Sequence, residues 1–164
     1  MSKGEIIAES AVKFVRDLPA SPARVWEFLT DLELLPEWYG EGSIEEREGG
    51  AVSLMGGHIR GVVTAWLPQK FLGYTWNVFS LGENVSRWPV SYLEFSLSEE
   101  DGKTRLVLIH RPIPEAMHKQ TMMGWHTMLD LVAAGLGGDF PKRADLFSKN
   151  AALYGVDISK LKKG

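Results

Sequence analysis

Residues 114–138, PEAMHKQTMMGWHTMLDLVAAGLGG, read as one long helix and decide how the rest of the chain must be arranged. Pro114 suits a first helical position, where its missing N–H would be unpaired in any case. Glu115 follows in the positive first turn. Gly137 and Gly138 can supply the left-handed stop. At 100° per residue His118, Met122, Trp125, Leu129, Val132 and Leu136 fall on one stripe. An apolar stripe of that length has to be covered, and most of the remaining chain reads as short strands able to cover it.

Upstream, Ile6 to Leu18 alternates in places and reads as one long strand, with Ile6, Ala8, Ser10, Val12 and Phe14 on one face. Pro19 ends it. Ser21-Pro22 is an N-cap followed by a first-turn proline, opening a short helix to about Thr30 with Val25, Trp26 and Leu29 inward. Leu32 to Trp38 reads as a second helical turn, broken at Pro36. Strands are then expected at about 42–48, 51–56, 58–66, 70–79, 88–98 and 104–111. Gly49-Gly50 and Gly56-Gly57 punctuate hairpins, and Asp101-Gly102 is a strong two-residue turn. Leu93, Phe95 and Leu97 share one strand face, as do Leu106, Leu108 and His110 on the next. The inward register of 58–66 stays open, because Val62 and Val63 point opposite ways. Beyond the long helix, Pro141 opens a further helix with Phe147, Ala151 and Tyr154 on one side and Gly155 as its stop. The final LKKG is expected to fray.

The chain has 164 residues, the size of one domain, and 1–164 reads as a single unit in which 139–164 is a helical extension. Apolar residues make up 45% and charged residues 24%, which excludes disorder as the main state. A net charge of −3 points to neither a nucleic-acid surface nor a polybasic membrane anchor. With no cysteine there is no disulfide, thiol nucleophile or thiolate metal site. No apolar run approaches a membrane span, and MSKGEIIAES lacks a signal-peptide core. A cytoplasmic protein, monomer or homodimer, is expected. Six tryptophans suggest a spacious apolar interior lined by flat side chains.

Several motifs occur in an order known from one superfamily. PASPARVWEFLTDLELLPEW resembles its strand-to-helix entry, and EGGAVSLMGGHIRGVVTAWLPQKFLGYTW its glycine-punctuated hairpins. GKTRLVLIH, PIPEAMH and GWHTMLDLVAAGL resemble its last strand and long helix. Over about residues 6–138 the chain is similar to the helix-grip (START-like, SRPBCC) superfamily, and within it to the branch of the heat-shock-protein ATPase activator homologues (the Aha-type C-terminal domain). The resemblance implies an α+β fold: a curved antiparallel sheet of about six to seven strands wrapped around a long C-terminal helix, with a short helix pair after the first strand. It also implies a cavity between sheet and helix that holds apolar or amphipathic molecules. Fold alone does not fix function.

The candidate ligand-binding residues are Trp38 at the end of the helix pair, Tyr74, Trp76, Phe95 and His110 on the facing strands, and His118, Met122, Trp125 and Leu129 on the stripe. His118 is either a polar group orienting a ligand at one end of the cavity or a half-exposed histidine near a helix start. His110 is either a ligand contact under the helix or a buried histidine satisfied by a hydrogen bond. Trp38 and Tyr39 are either a gate or core. The methionines are either core or deformable ligand contacts. Trp88, before Pro89, is placed at a rim. His58 and His126 fit no constellation. The four histidines have no metal-type spacing, no nucleophile motif is present, and no carboxylate pair can be placed on one inward face, so neither a cofactor nor a metal is expected. Three functions stay open: a binding module for a small hydrophobic ligand, an interaction protein modulating a chaperone-type ATPase, and an enzyme acting on an aromatic or polyketide-like ligand with His110 or His118 as base.

Overall fold

The expected long first strand is a hairpin: β1 (Glu5–Ala8) pairs antiparallel with β2 (Ala11–Leu18), placing Ala8 opposite Ala11. The computed structural model describes residues 4–8, 11–79, 90–139 and 141–156, with backbone alone at 5–8. The expectations for Ser10, Trp88 and the final LKKG, and for the faces of Ile6 and Ala8, lie outside the described residues. Along β2, Val12, Phe14, Arg16 and Leu18 are buried while Val15 and Asp17 face solvent, the period-2 pattern of a strand with one covered face.

Ser21 accepts the Arg24 N–H at 3.3 Å and caps α1 (Pro22–Thr30), with Pro22 at the start of the helix. The following turn is a 3-10 turn at Leu35–Glu37 that contains Pro36 rather than breaking at it. Then come β3 (Ser43–Ile44), β4 (Ala51–Leu54), β5 (Ile59–Leu67), β6 (Phe71–Val78), β7 (Ser91–Glu100) and β8 (Lys103–Arg111). β3 is shorter than expected because the chain turns early: the Arg47 N–H bonds to the Glu45 carbonyl and that of Gly50 to Arg47. β4 stops at Leu54 because Met55, Gly56 and Gly57 all take positive φ, at 53°, 67° and 94°. A bulge between Val63 and Ala65 resolves the register of β5: Val63 is buried and Val62 is exposed. The eight strands among the described residues form one antiparallel sheet in the order β1-β2-β8-β7-β6-β5-β4-β3. Asp101 and Gly102, both at positive φ, close the β7–β8 hairpin as read from the sequence.

The long helix, α2 (His118–Leu136), starts four residues later than expected. Pro114 stays extended with ψ of 139°, and a 3-10 turn at Glu115–Met117 intervenes. Gly138, at φ 83°, is the left-handed residue after its end. α2 lies across the concave side of the sheet, and Trp125, Leu129 and Val132 join Val12, Phe14, Tyr74, Leu93, Phe95 and Leu108 in one core. α3 (Arg143–Tyr154) follows the expected pattern and ends at Gly155 in the left-handed region. It packs on α2 through Met123, Ala151 and Tyr154, with Met122 and Phe147 at the border.

Candidate functional site

Strand alternation delivers one set of side chains to the concave face and α2 delivers the other. On β6, Leu72, Tyr74 and Trp76 point inward; on β7, Ser91, Leu93, Phe95 and Leu97; on β8, Leu106, Leu108 and His110. Register places Leu93 beside His110 and Tyr74 beside Leu93. Above them, Trp125 stands at the centre of a ring cluster. Its indole lies 5.3 Å from Trp76, 5.9 Å from Phe95, 5.9 Å from His110 and 5.9 Å from Tyr39, centroid to centroid. Tyr39 in turn stacks on Trp38 at 4.1 Å. The Trp125 separations are those of offset and edge-to-face aromatic pairs.

Two polar devices are built into this apolar interior. The first is a directed chain. Trp125 Nε1–H donates to His110 Nδ1 at 3.0 Å, so Nδ1 is the bare nitrogen and Nε2 carries the proton. Nε2–H donates to Ser91 Oγ at 2.8 Å, and the Ser91 hydroxyl donates to the Trp76 carbonyl at 3.2 Å. Burial pushes the His110 pKa down to about 3, so the imidazole is neutral at pH 7. The second is a phenol pair: Tyr39 and Tyr74 bring their hydroxyls to 2.7 Å, both fully buried. Burial pushes both phenols up, so both are protonated at neutral pH.

Six of the nine candidate residues, Trp38, Tyr74, Trp76, Phe95, His110 and Trp125, are therefore brought into one network, joined by Tyr39. The other three sit elsewhere along α2. Leu129 is core, one turn beyond Trp125. Met122 is half-buried where the main core meets α3. His118 faces the Ile113 carbonyl at 2.8 Å, two turns before Trp125 along α2. Trp38 is buried and donates to the Phe28 carbonyl at 2.6 Å, while its own carbonyl accepts from the Arg143 guanidinium of α3. Trp76, Val78, Met117 and Met122 are only partly covered. A surface hollow of about 420 Å³ lies apart from this network, between Thr30–Leu32 and Ser43–Arg47.

Sequence reasoning missed Ser91, although it shares strand parity with Leu93, Phe95 and Leu97. It also missed a second polar cluster where β2 meets α2 and α3. Arg16 is 2% exposed, and its Nε and Nη2 have no hydrogen-bond partner; burial lowers its pKa. Nearby, His126 Nδ1 bonds to the Tyr154 hydroxyl at 2.9 Å and its Nε2 lies 3.7 Å from Asp130. Asn150 donates to Thr127 and Asp130, and Tyr154 accepts the Gly4 N–H at 2.8 Å. The signal for Arg16 was again parity, with Phe14 and Leu18. Among the described residues no three His, Asp or Glu side chains converge as a metal-binding set, and no helix is long and apolar enough to cross a membrane.

Comparison with known proteins agrees with this architecture. A mouse protein, activator of 90 kDa heat shock protein ATPase homolog 1, is 24% identical over 109 residues, 64% of this chain. The match spans 30% of the mouse protein's length. The crystal structure of CalU16 from Micromonospora echinospora superposes with a TM-score of 0.71 at 24% identity, covering 88% of this chain and 85% of that one. PFC0360w, an HSP90 activator from Plasmodium falciparum, superposes with a TM-score of 0.68 at 20% identity, covering 78% of this chain and 96% of that one. These likenesses show the helix-grip fold. The family model described as activator of Hsp90 ATPase homolog 1-like protein matches residues 19–137, well over half of the chain, and the chain belongs to that family.

Proposed function

We propose that the protein is a binding module for a small apolar or amphipathic molecule held between the sheet and α2. The observation that carries this reading is the ring cluster around Trp125, with two hydrogen-bonded polar devices buried inside it. Ligand sites combine apolar and aromatic walls with a few placed polar groups in this way. The half-covered Met117 and Met122 near the start of α2 support adaptability there, since methionine side chains yield easily to a new neighbour. Removing apolar surface from water supplies the affinity, about 25 cal/mol per Å² buried. A tryptophan-fluorescence titration with palmitate, cholesterol and flavone tests the reading. A saturable change with one of them is expected, and an unchanged spectrum with all three counts against it.

The geometry around His110 is unfavourable for the enzyme reading. Its Nδ1 lone pair is occupied by Trp125 and its Nε2 proton by Ser91, so it offers neither base nor acid without breaking that chain. A second binding reading, modulation of a chaperone-type ATPase, is favoured by the family match over 19–137. Its test is the ATPase rate of purified Hsp90 with and without the chain; an unchanged rate sinks it.

A further inference from the structure

The phenol pair holds one more proton than it uses. Tyr39 comes from the segment after the 3-10 turn and Tyr74 from β6, and their hydroxyls meet at 2.7 Å. A phenol has one O–H to donate, so one of the two donates across the shared bond and the other keeps its own proton. Among the described residues neither hydroxyl has a second hydrogen-bond partner. A donor this deeply buried ordinarily has an acceptor. Aromatic rings surround the pair: Trp38 and Trp76 beside Tyr39, Phe95 beside Tyr74, and Trp125 over both Tyr39 and Phe95. No charged side chain among the described residues bonds to either hydroxyl, so an anion here would lose its hydration without a counter-charge.

We propose that the spare O–H of the Tyr39–Tyr74 pair is the polar anchor of the interior site and that its ligand is a flat, uncharged molecule bearing a carbonyl oxygen. The inference rests on the binding reading above and adds the chemical class of the ligand. The oxygen accepts the spare proton, and the flat body lies against the rings of Trp76, Trp125 and Phe95. Either phenol can serve as the outer donor, because the shared bond works in both directions.

Equilibrium dialysis with 9-fluorenone and fluorene tests this, since the two differ by a carbonyl in place of a methylene. After normalisation to octanol partition, the wild-type protein should hold fluorenone about tenfold more tightly, the discrimination expected of one buried hydrogen bond. Y39F and Y74F should each keep the preference, because each retains one donor. The Y39F/Y74F double variant should lose it while still binding fluorene. Equal normalised affinity of the wild type for both molecules overturns the anchor and leaves the interior site standing. Binding of neither overturns the interior site, and the anchor with it. The wild-type comparison needs no variant to fold.

Discussion

Trp125 on α2 and His110 on β8 are joined by a 3.0 Å hydrogen bond in which the indole donates, and that bond fixes the tautomer of a fully enclosed imidazole. It ties the helix to the sheet at the middle of the aromatic cluster. Through Ser91 it also ties β8 to the carbonyl of Trp76 on β6. The chain has a fixed direction, from indole to imidazole to hydroxyl to carbonyl, because an indole N–H can only donate.

Stability should report this arrangement through pH. The folded-state pKa of His110 is about 3, below the ordinary 6.5. Above pH 6.5 both states leave the group neutral. As pH falls from 6.5 toward 3, the unfolded chain takes up a proton that the native state refuses, and native stability falls. The slope reaches about 1.4 kcal/mol per pH unit, so His110 costs about 2 kcal/mol between pH 7 and pH 5. Urea unfolding of the wild type and His110→Gln at both pH values checks it: the variant should lack this component. Parallel pH dependence of the two proteins would show that His110 is not held neutral.

The bonds of His110 should also show directly at neutral pH. His110→Ala leaves the Trp125 N–H without its acceptor and opens space beside it, at a cost of about 3 kcal/mol. A loss below about 0.5 kcal/mol in urea unfolding would mean that the chain contributes little to joining helix and sheet.

Two glycines should fail for different reasons. A Cβ on Gly61 would lie 1.9 Å from the Thr75 carbonyl oxygen of the neighbouring strand, so Gly61→Ala should cost about 3 kcal/mol through forced separation of β5 and β6. Gly56 has open space around its Cβ direction but a φ of 67°, so Gly56→Ala should cost only about 1 kcal/mol. Thermal unfolding of both variants ranks them, and the reverse order would contradict the close β5–β6 approach.

α3 is fastened to the rest of the fold by polar contacts at both ends. Arg143 donates to the Trp38 carbonyl, and the Tyr154 hydroxyl bonds to His126 and Gly4. Tyr154→Phe should cost about 1–3 kcal/mol and speed hydrogen exchange in α3 while leaving the amides around Trp125 protected. Uniformly faster exchange throughout α2 would show that α3 and α2 open as one unit.

Local signals explain what could be read in advance. The 3.6 period of α2, the Asp101-Gly102 turn and the Gly155 stop are properties of a few neighbouring residues, and all three stand. The β1–β2 reversal was missed because Ala8 to Ala11 contains neither Gly nor Pro. Arg16 was missed because a guanidinium is normally solvated, so its parity with Phe14 and Leu18 carried less weight than its charge. The meeting of Tyr39 with Tyr74 depends on how the segment after α1 crosses β6, which no local pattern encodes. Of the candidate site, the inward faces of β6, β7 and β8 were legible and the hydrogen bonds among them were not.

The most direct measurement of the binding reading is a ¹H–¹⁵N titration with flavone that follows the six tryptophan indole N–H resonances. The Trp125 and Trp38 signals, both from buried indoles with internal acceptors, should move and saturate together as the interior fills. Movement confined to surface amides, with both indole signals unchanged at saturating flavone, would contradict a ligand between the sheet and α2.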